Sequence, residues 1–234
     1  MKIAIMQPYF APYIGYFQML SAVDKFVFYD DVNFIVRGWI NRNRILNNGD
    51  AFLFSIPLEK PSLNNSINNT RINQFEYDIF KKKFQRTLSL NYKKAPYFSD
   101  VNDLLSEVFN KKFESISGLA IESVLAISNY IGLKPDFIIA SDKYKNQKLR
   151  GVHRLLDICK EEGAREYINA IGGRELYKKH EFEEFFIKLK FIKSGLIEYK
   201  QFDYKFVPNL SIIDVLMFNS REDVQRMLRN YELI

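Results

Sequence analysis

A chain of 234 residues, 47% of them hydrophobic, has enough apolar material for one substantial core or a core with a small appendage. No apolar run approaches the roughly 18 residues of a membrane-spanning helix, and Pro8 and Pro12 interrupt the opening too early for a secretion signal. A single cysteine excludes an internal disulfide, two distant histidines make a metal pair improbable, and a net charge of +6 suits phosphate-bearing ligands without requiring them. The expected compartment is the reducing cytoplasm.

Ile3 to Met6 is an apolar run too short for a helix, ended near Gln7 by the prolines that follow. From Gly15, the residues Phe17, Met19, Leu20 and Val23 fit one helical face, and Phe26 to Tyr29 is a second β-rich run stopped by Asp30-Asp31. Strand, loop, helix and strand make a βαβ unit and predict a parallel sheet. The loop before the helix is the first candidate site, because ligands bind at the carboxyl ends of parallel strands, where a helix amino terminus suits an anion. There Gln7 would orient substrate, Tyr9, Tyr13 and Tyr16 would offer hydroxyls and stacking surfaces, and Gly15 would permit close approach. Asp30 and Asp31 end a strand, where a carboxylate can act as a base or simply cap a turn.

Arg37, Trp39, Asn41, Arg42 and Asn43 crowd directional hydrogen-bonding groups into a segment read as a ligand-facing loop or edge strand. Ala51 to Leu58 reads as a strand with Lys60 just beyond it, a plausible anion contact. The asparagine-rich stretch Ser62 to Asn73 reads as a flexible loop able to serve as a lid. Helices are predicted over Gln74 to Asn91, Val101 to Phe113 and Ile116 to Ile131, the last stopped by Gly132. The lysines and Arg86 on the first read as a solvated face, with RNA contact as the alternative.

Asp136 to Ser141 is a buried-type strand, followed by a basic loop and a helix from about Gly151 to Glu162. Arg150 and Arg154 would share a face of that helix, and Arg150 is the candidate phosphate contact. Cys159, within Leu155, Leu156 and Ile158, reads as a packing residue. Glu166 to Ala170 is a strand turning out through Asn169, Gly172 and Gly173, where adjacent glycines permit positive φ and close backbone approach. Phe182 to Phe186 reads as helix, Leu189 to Phe191 and Ile197 to Phe202 as strands, Leu210 to Met217 as a helix capped by Ser211 with Asp214 as its capping-box acid, and Asp223 to Tyr231 as a closing helix.

The block Gln7-Pro8-Tyr9-Phe10 with Pro12-Tyr13-Ile14-Gly15-Tyr16-Phe17 resembles the opening of the WbqC-like protein family. Phe28 to Val32 with Arg37 to Arg44, Tyr167 to Asn169 with Gly172-Gly173 and Leu176-Tyr177, and Leu210 to Asp214 are similar to later blocks in the same order. The resemblance implies a protein of bacterial surface-polysaccharide (O-antigen) assembly. Pro12 to Tyr16 also resembles, distantly, the Pro-His-Ile-Gly-His loop of HIGH-motif nucleotidyltransferases, with both histidines replaced by tyrosine.

The expected architecture is α/β, a Rossmann-like or HUP-like parallel sheet in one domain, with a mainly helical insertion at about 74–131. The expected activity is transfer of an acyl or aminoacyl group to the amino group of a nucleotide-linked amino sugar. The donor would be a coenzyme A thioester, an acyl carrier or an aminoacyl-tRNA, with Asp30, Asp31 and Tyr16 as catalytic candidates and no metal. Nucleotidyl transfer or adenylation, and a non-enzymatic RNA- or carrier-binding module, are the alternatives.

Overall fold

The computed structural model describes all 234 residues. Strands β1 (Lys2–Met6) and β2 (Lys25–Phe28) pair in parallel around helix α1 (Ile14–Ser21), the βαβ unit expected from the opening. Beyond β2 the chain leaves the sheet for about a hundred residues. It forms an antiparallel hairpin, β3 (Arg42–Asn47) and β4 (Asp50–Ser55), then helices α2 (Gln74–Tyr92), α3 (Phe98–Asn110) and α4 (Ile116–Tyr130). It returns as β5 (Asp136–Ile139), beside β2. Then come α5 (Ala140–Lys143), α6 (Gly151–Glu161), β6 (Glu166–Ala170), a 3-10 turn at Ile171–Gly173, α7 (Lys179–Glu183) and β7 (Lys188–Ser194). Helices α8 (Ile212–Phe218) and α9 (Arg221–Met227) precede the edge strand β8 (Tyr231–Leu233). The sheet order is β5-β2-β1-β6-β7-β8, parallel except for β8. This is an α/β, Rossmann-like arrangement with a topological switch between β1 and β6.

Alternation along the strands divides the core between the sheet's two faces. Ala4, Phe26 and Phe28 face α1, α8 and the insertion helices, in one apolar cluster that also takes in Phe84, Leu105 and Leu119. Ile3, Ile5, Val27 and Tyr167 face α6 and α7. Cys159 belongs to this second cluster, and burial pushes its thiol up to about 12, so it is a packing residue.

Several expected elements differ. The hairpin was not among the expected elements, although Asn48-Gly49 carries its signal, a pair that favours a two-residue turn with both residues at positive φ, here 50° and 85°. Ser62 to Asn73 is no loose lid. It bridges to Asn33, Leu58 and Ser115, buries Ile67, Thr70 and Ile72, and is laced by Ser66 to Asn68, Asn69 and Thr70. Ile197 to Phe202 is not a strand but an irregular segment, because Gln201 and Tyr199 turn inward to a buried carboxylate instead of pairing with a neighbouring strand. Ser211 does cap α8, through Ile213 N–H, but Asp214 points into the core rather than closing a capping box. The last helix ends at Met227 and the chain closes as β8.

At the amino-terminal end of the sheet, buried Glu162 accepts from Lys25 at 2.7 Å, Lys143 at 2.5 Å and the Tyr144 hydroxyl at 2.8 Å. Burial alone would raise its pKa, but these three donors outweigh it and hold the carboxyl at about 2. The unfolded chain, near 4.5, therefore takes up the proton first as pH falls. The stabilisation is complete above pH 4.5 and is lost towards pH 2, a span worth about 3 kcal/mol. Urea melts of Glu162→Gln are expected to lack this part of the wild-type acid slope.

Candidate functional site

The carboxyl ends of β2, β1, β6 and β7 bring the β1–α1 loop, Asp30-Asp31, Asn169 to Gly173 and Ser194 to one edge of the sheet. The acidic pair divides into two unlike groups. Asp30 is buried, and its two oxygens accept from Ser141 N–H at 2.9 Å and Ser141 Oγ at 2.6 Å. It thereby ties the exit of β2 to that of β5, and burial raises its pKa despite those bonds. Asp31 Oδ2 accepts from Arg154 at 2.6 Å and Gln147 at 3.2 Å, whereas its buried Oδ1 has no donor in the protein. Arg154 lies over the Tyr29 ring at 4.7 Å and donates through Nε to Asn146.

The β1–α1 loop has an inward and an outward side. Phe10 and Ala11 are fully buried, with Ala11 at φ 40°. That backbone is held by Ser123, which accepts from Ala11 N–H, and by Asn43 and Ser211, which both donate to the Ala11 carbonyl at 2.6 Å. Asn43, expected to touch ligand, is thus a buried brace. Tyr16 is also removed from the surface: its ring is buried and its hydroxyl donates to the Gln7 carbonyl, with burial raising its pKa far above the ordinary phenol value. As a catalytic candidate it is corrected to a packing residue, and the HIGH-like loop keeps only Tyr13 in an outward position. Gly15 is needed for packing rather than for ligand approach, because a Cβ there would lie 2.3 Å from the Tyr13 ring and 3.0 Å from Ser194 Oγ.

The outward side carries a groove made of two adjacent concavities. A cleft of about 200 Å³ is lined by Tyr9, Tyr13, Trp39, Arg44 and Asn209. A chamber of about 430 Å³ lies against the start of α1 and the end of β7, and shares Tyr13 and Asn209 with the cleft. Arg44 sits 5.3 Å from the Trp39 ring centre, makes no ion pair, and leaves its buried Nε without an acceptor; its one bond runs to the Asn209 carbonyl at 3.3 Å. An unpaired guanidinium among three aromatic rings is equipped to hold an anion beside a planar or apolar group. Arg42 lies on the same face of β3 and also reaches the Trp39 ring, at 5.8 Å, but its guanidinium is engaged by the carbonyls of Gly38 and Arg37, which leaves Arg44 as the free cation.

Of the remaining candidates, Arg42 borders the cleft, 5.8 Å from the Trp39 ring centre, and the others do not line it. Arg42 donates to the carbonyls of Gly38 and Arg37, fastening its own turn, and Asn41 donates to the Ile56 carbonyl. Arg37 and Lys60 are exposed at positive φ, and Arg150 is exposed at the start of α6, while Arg154 one turn later is the buried partner of Asp31. Gly172 and Gly173 lie in a 3-10 turn without positive φ; a Cβ at Gly172 would meet nothing, and one at Gly173 would meet the Asn169 amide at 2.9 Å. Asn169 itself is buried, its Oδ1 accepting from Ala170 N–H. No three His, Cys, Asp or Glu side chains gather as a metal site would need, and no helix is long and apolar enough to cross a membrane.

A model of the WbqC-like protein family matches residues 7–226. The chain is similar to the uncharacterized protein Rv1507c of Mycobacterium tuberculosis, with 29% identity over 237 residues covering 97% of each chain. No solved structure matches.

Proposed function

The chain belongs to the WbqC-like protein family, and from that premise we propose that it is a transferase of bacterial surface-polysaccharide (O-antigen) assembly, moving an acyl or aminoacyl group onto the amino group of a nucleotide-linked amino sugar. The observation that carries the reading is Arg44, an unpaired cation in an aromatic cleft beside the carboxyl edge of a parallel sheet. Phosphate is the group that such a cation and its Trp39 and Tyr9 neighbours best accommodate, and both proposed substrates carry it.

The chemistry requires no covalent enzyme intermediate. The sugar ammonium first loses a proton to a carboxylate, and the freed amine attacks the donor's thioester carbonyl. The new C–N bond forms, the C–S bond breaks, and the nitrogen's second proton leaves with the thiol. Asp31 is assigned as the proton acceptor, since its Oδ1 lacks the donor that a substrate ammonium would supply, whereas both oxygens of Asp30 already hold Ser141.

Thermal shift against nucleotide-linked amino sugars and coenzyme A thioesters, with thiol release as the turnover signal, tests the assignment. Arg44→Gln is expected to weaken binding of the phosphate-bearing ligand at least tenfold, the loss of one charge-assisted contact. Asp31→Asn is expected to bind normally and lose about 10²–10⁴ in turnover. Absence of binding and of thiol release with every pair of substrates in the wild type would refute the reading.

A further inference from the structure

The chamber beside the Arg44 cleft distinguishes between the two donor classes. Its walls include Ile14, Ile197, Phe206, Pro208 and Val215. Two of its polar groups are already engaged by the protein: the Ser194 hydroxyl donates to Gln18 Oε1, and the Tyr199 hydroxyl to Asp214. Neither the chamber nor the cleft is lined by an Asp or Glu that would receive the α-ammonium of an aminoacyl group. Sugar hydroxyls would likewise find few partners there, whereas hydrocarbon loses nothing by entering.

Resting on the transferase reading above, we infer that the chamber receives the hydrocarbon chain of an acyl thioester whose phosphates lie on Arg44. The cleft and chamber share Tyr13 and Asn209, so one amphipathic ligand with an anionic head and an apolar tail spans both. The donor is then acyl rather than aminoacyl, and its chain is longer than an acetyl group, which would leave most of about 430 Å³ unfilled.

The test is calorimetric titration of the intact protein with coenzyme A and its acetyl, butyryl, hexanoyl and octanoyl thioesters. Affinity is expected to rise about three- to fourfold per added methylene until the chamber is full. Ile197→Trp, which narrows the chamber, is expected to end this rise at a shorter chain while leaving the affinity for free coenzyme A unchanged. Ile197→Asn, which makes the same wall polar, replaces it should the larger side chain prevent folding. Equal affinity across the series, still dependent on Arg44, would overturn the chamber's role and leave the phosphate-binding reading intact. Binding of a nucleotide-linked sugar through Arg44 with none of the thioesters would overturn the donor assignment, and binding of neither would overturn both readings.

Discussion

Replacing Asp214 by alanine is expected to lower the stability of the fold by about 3–5 kcal/mol, the range seen when one member of a buried charged network is removed. The carboxylate is fully buried and is held by three donors: Tyr92 at 2.7 Å, Tyr199 at 2.6 Å and Gln201 at 2.7 Å. Its loss leaves all three without their acceptor and opens a void among packed rings. The damage would spread to two elements. Tyr92 also accepts from Leu46 N–H, which ties the hairpin to α2, and Gln201 holds both the N–H and the carbonyl of Val207. Val207 lies in the irregular segment that walls the groove, so the variant should also bind groove ligands more weakly. Asparagine keeps one acceptor and is expected to cost less, about 1–2 kcal/mol.

The same site makes a pH prediction of opposite sign to that at Glu162. Burial raises the pKa of Asp214, and the three donors only partly offset it, leaving it above the ordinary carboxylate value. The native state then holds its proton to higher pH than the unfolded chain does. Stability therefore falls as pH rises from the unfolded value to the raised native one, and this contribution is flat above it. In urea melts between about pH 3 and 7, Asp214→Asn should lack this component while retaining the acid slope from Glu162.

The βαβ opening with its parallel pairing and the helices from α2 to α4 were legible because each depends on local periodicity and on where prolines and glycines interrupt it. The candidate site was legible only in outline. Tyr9, Tyr13 and Trp39 do share a cleft, but the cation that joins them is Arg44, and sequence density could not separate it from Arg42 two residues earlier. The two share one face of β3, and the difference is that the tight turn before the strand turns the Gly38 and Arg37 carbonyls onto Arg42 and leaves Arg44 free. Asn43 and Tyr16 carry polar groups in a motif that invites a ligand role, yet both serve backbone carbonyls of the loop itself. Asp214 was misplaced for a related reason: its spacing from Ser211 fits a capping box, and only the distant Tyr92 and Tyr199 draw it inward.

Arg154→Ala separates the structural from the chemical role of Asp31. The two side chains are 3% and 8% exposed, and their 2.6 Å contact lies beside Asp30, a second acid. Removing the guanidinium strands a buried carboxylate, at an expected cost of about 3–5 kcal/mol at neutral pH. Adding Asp31→Asn to Arg154→Ala removes the stranded charge and should recover much of the loss at neutral pH, a coupling that a double-mutant cycle measures directly. If Asp31 also takes the substrate proton, the double variant will be restored in melting temperature but not in thiol release. Recovery of both together would make the pair purely structural and move the proton acceptor elsewhere on the sheet's carboxyl edge.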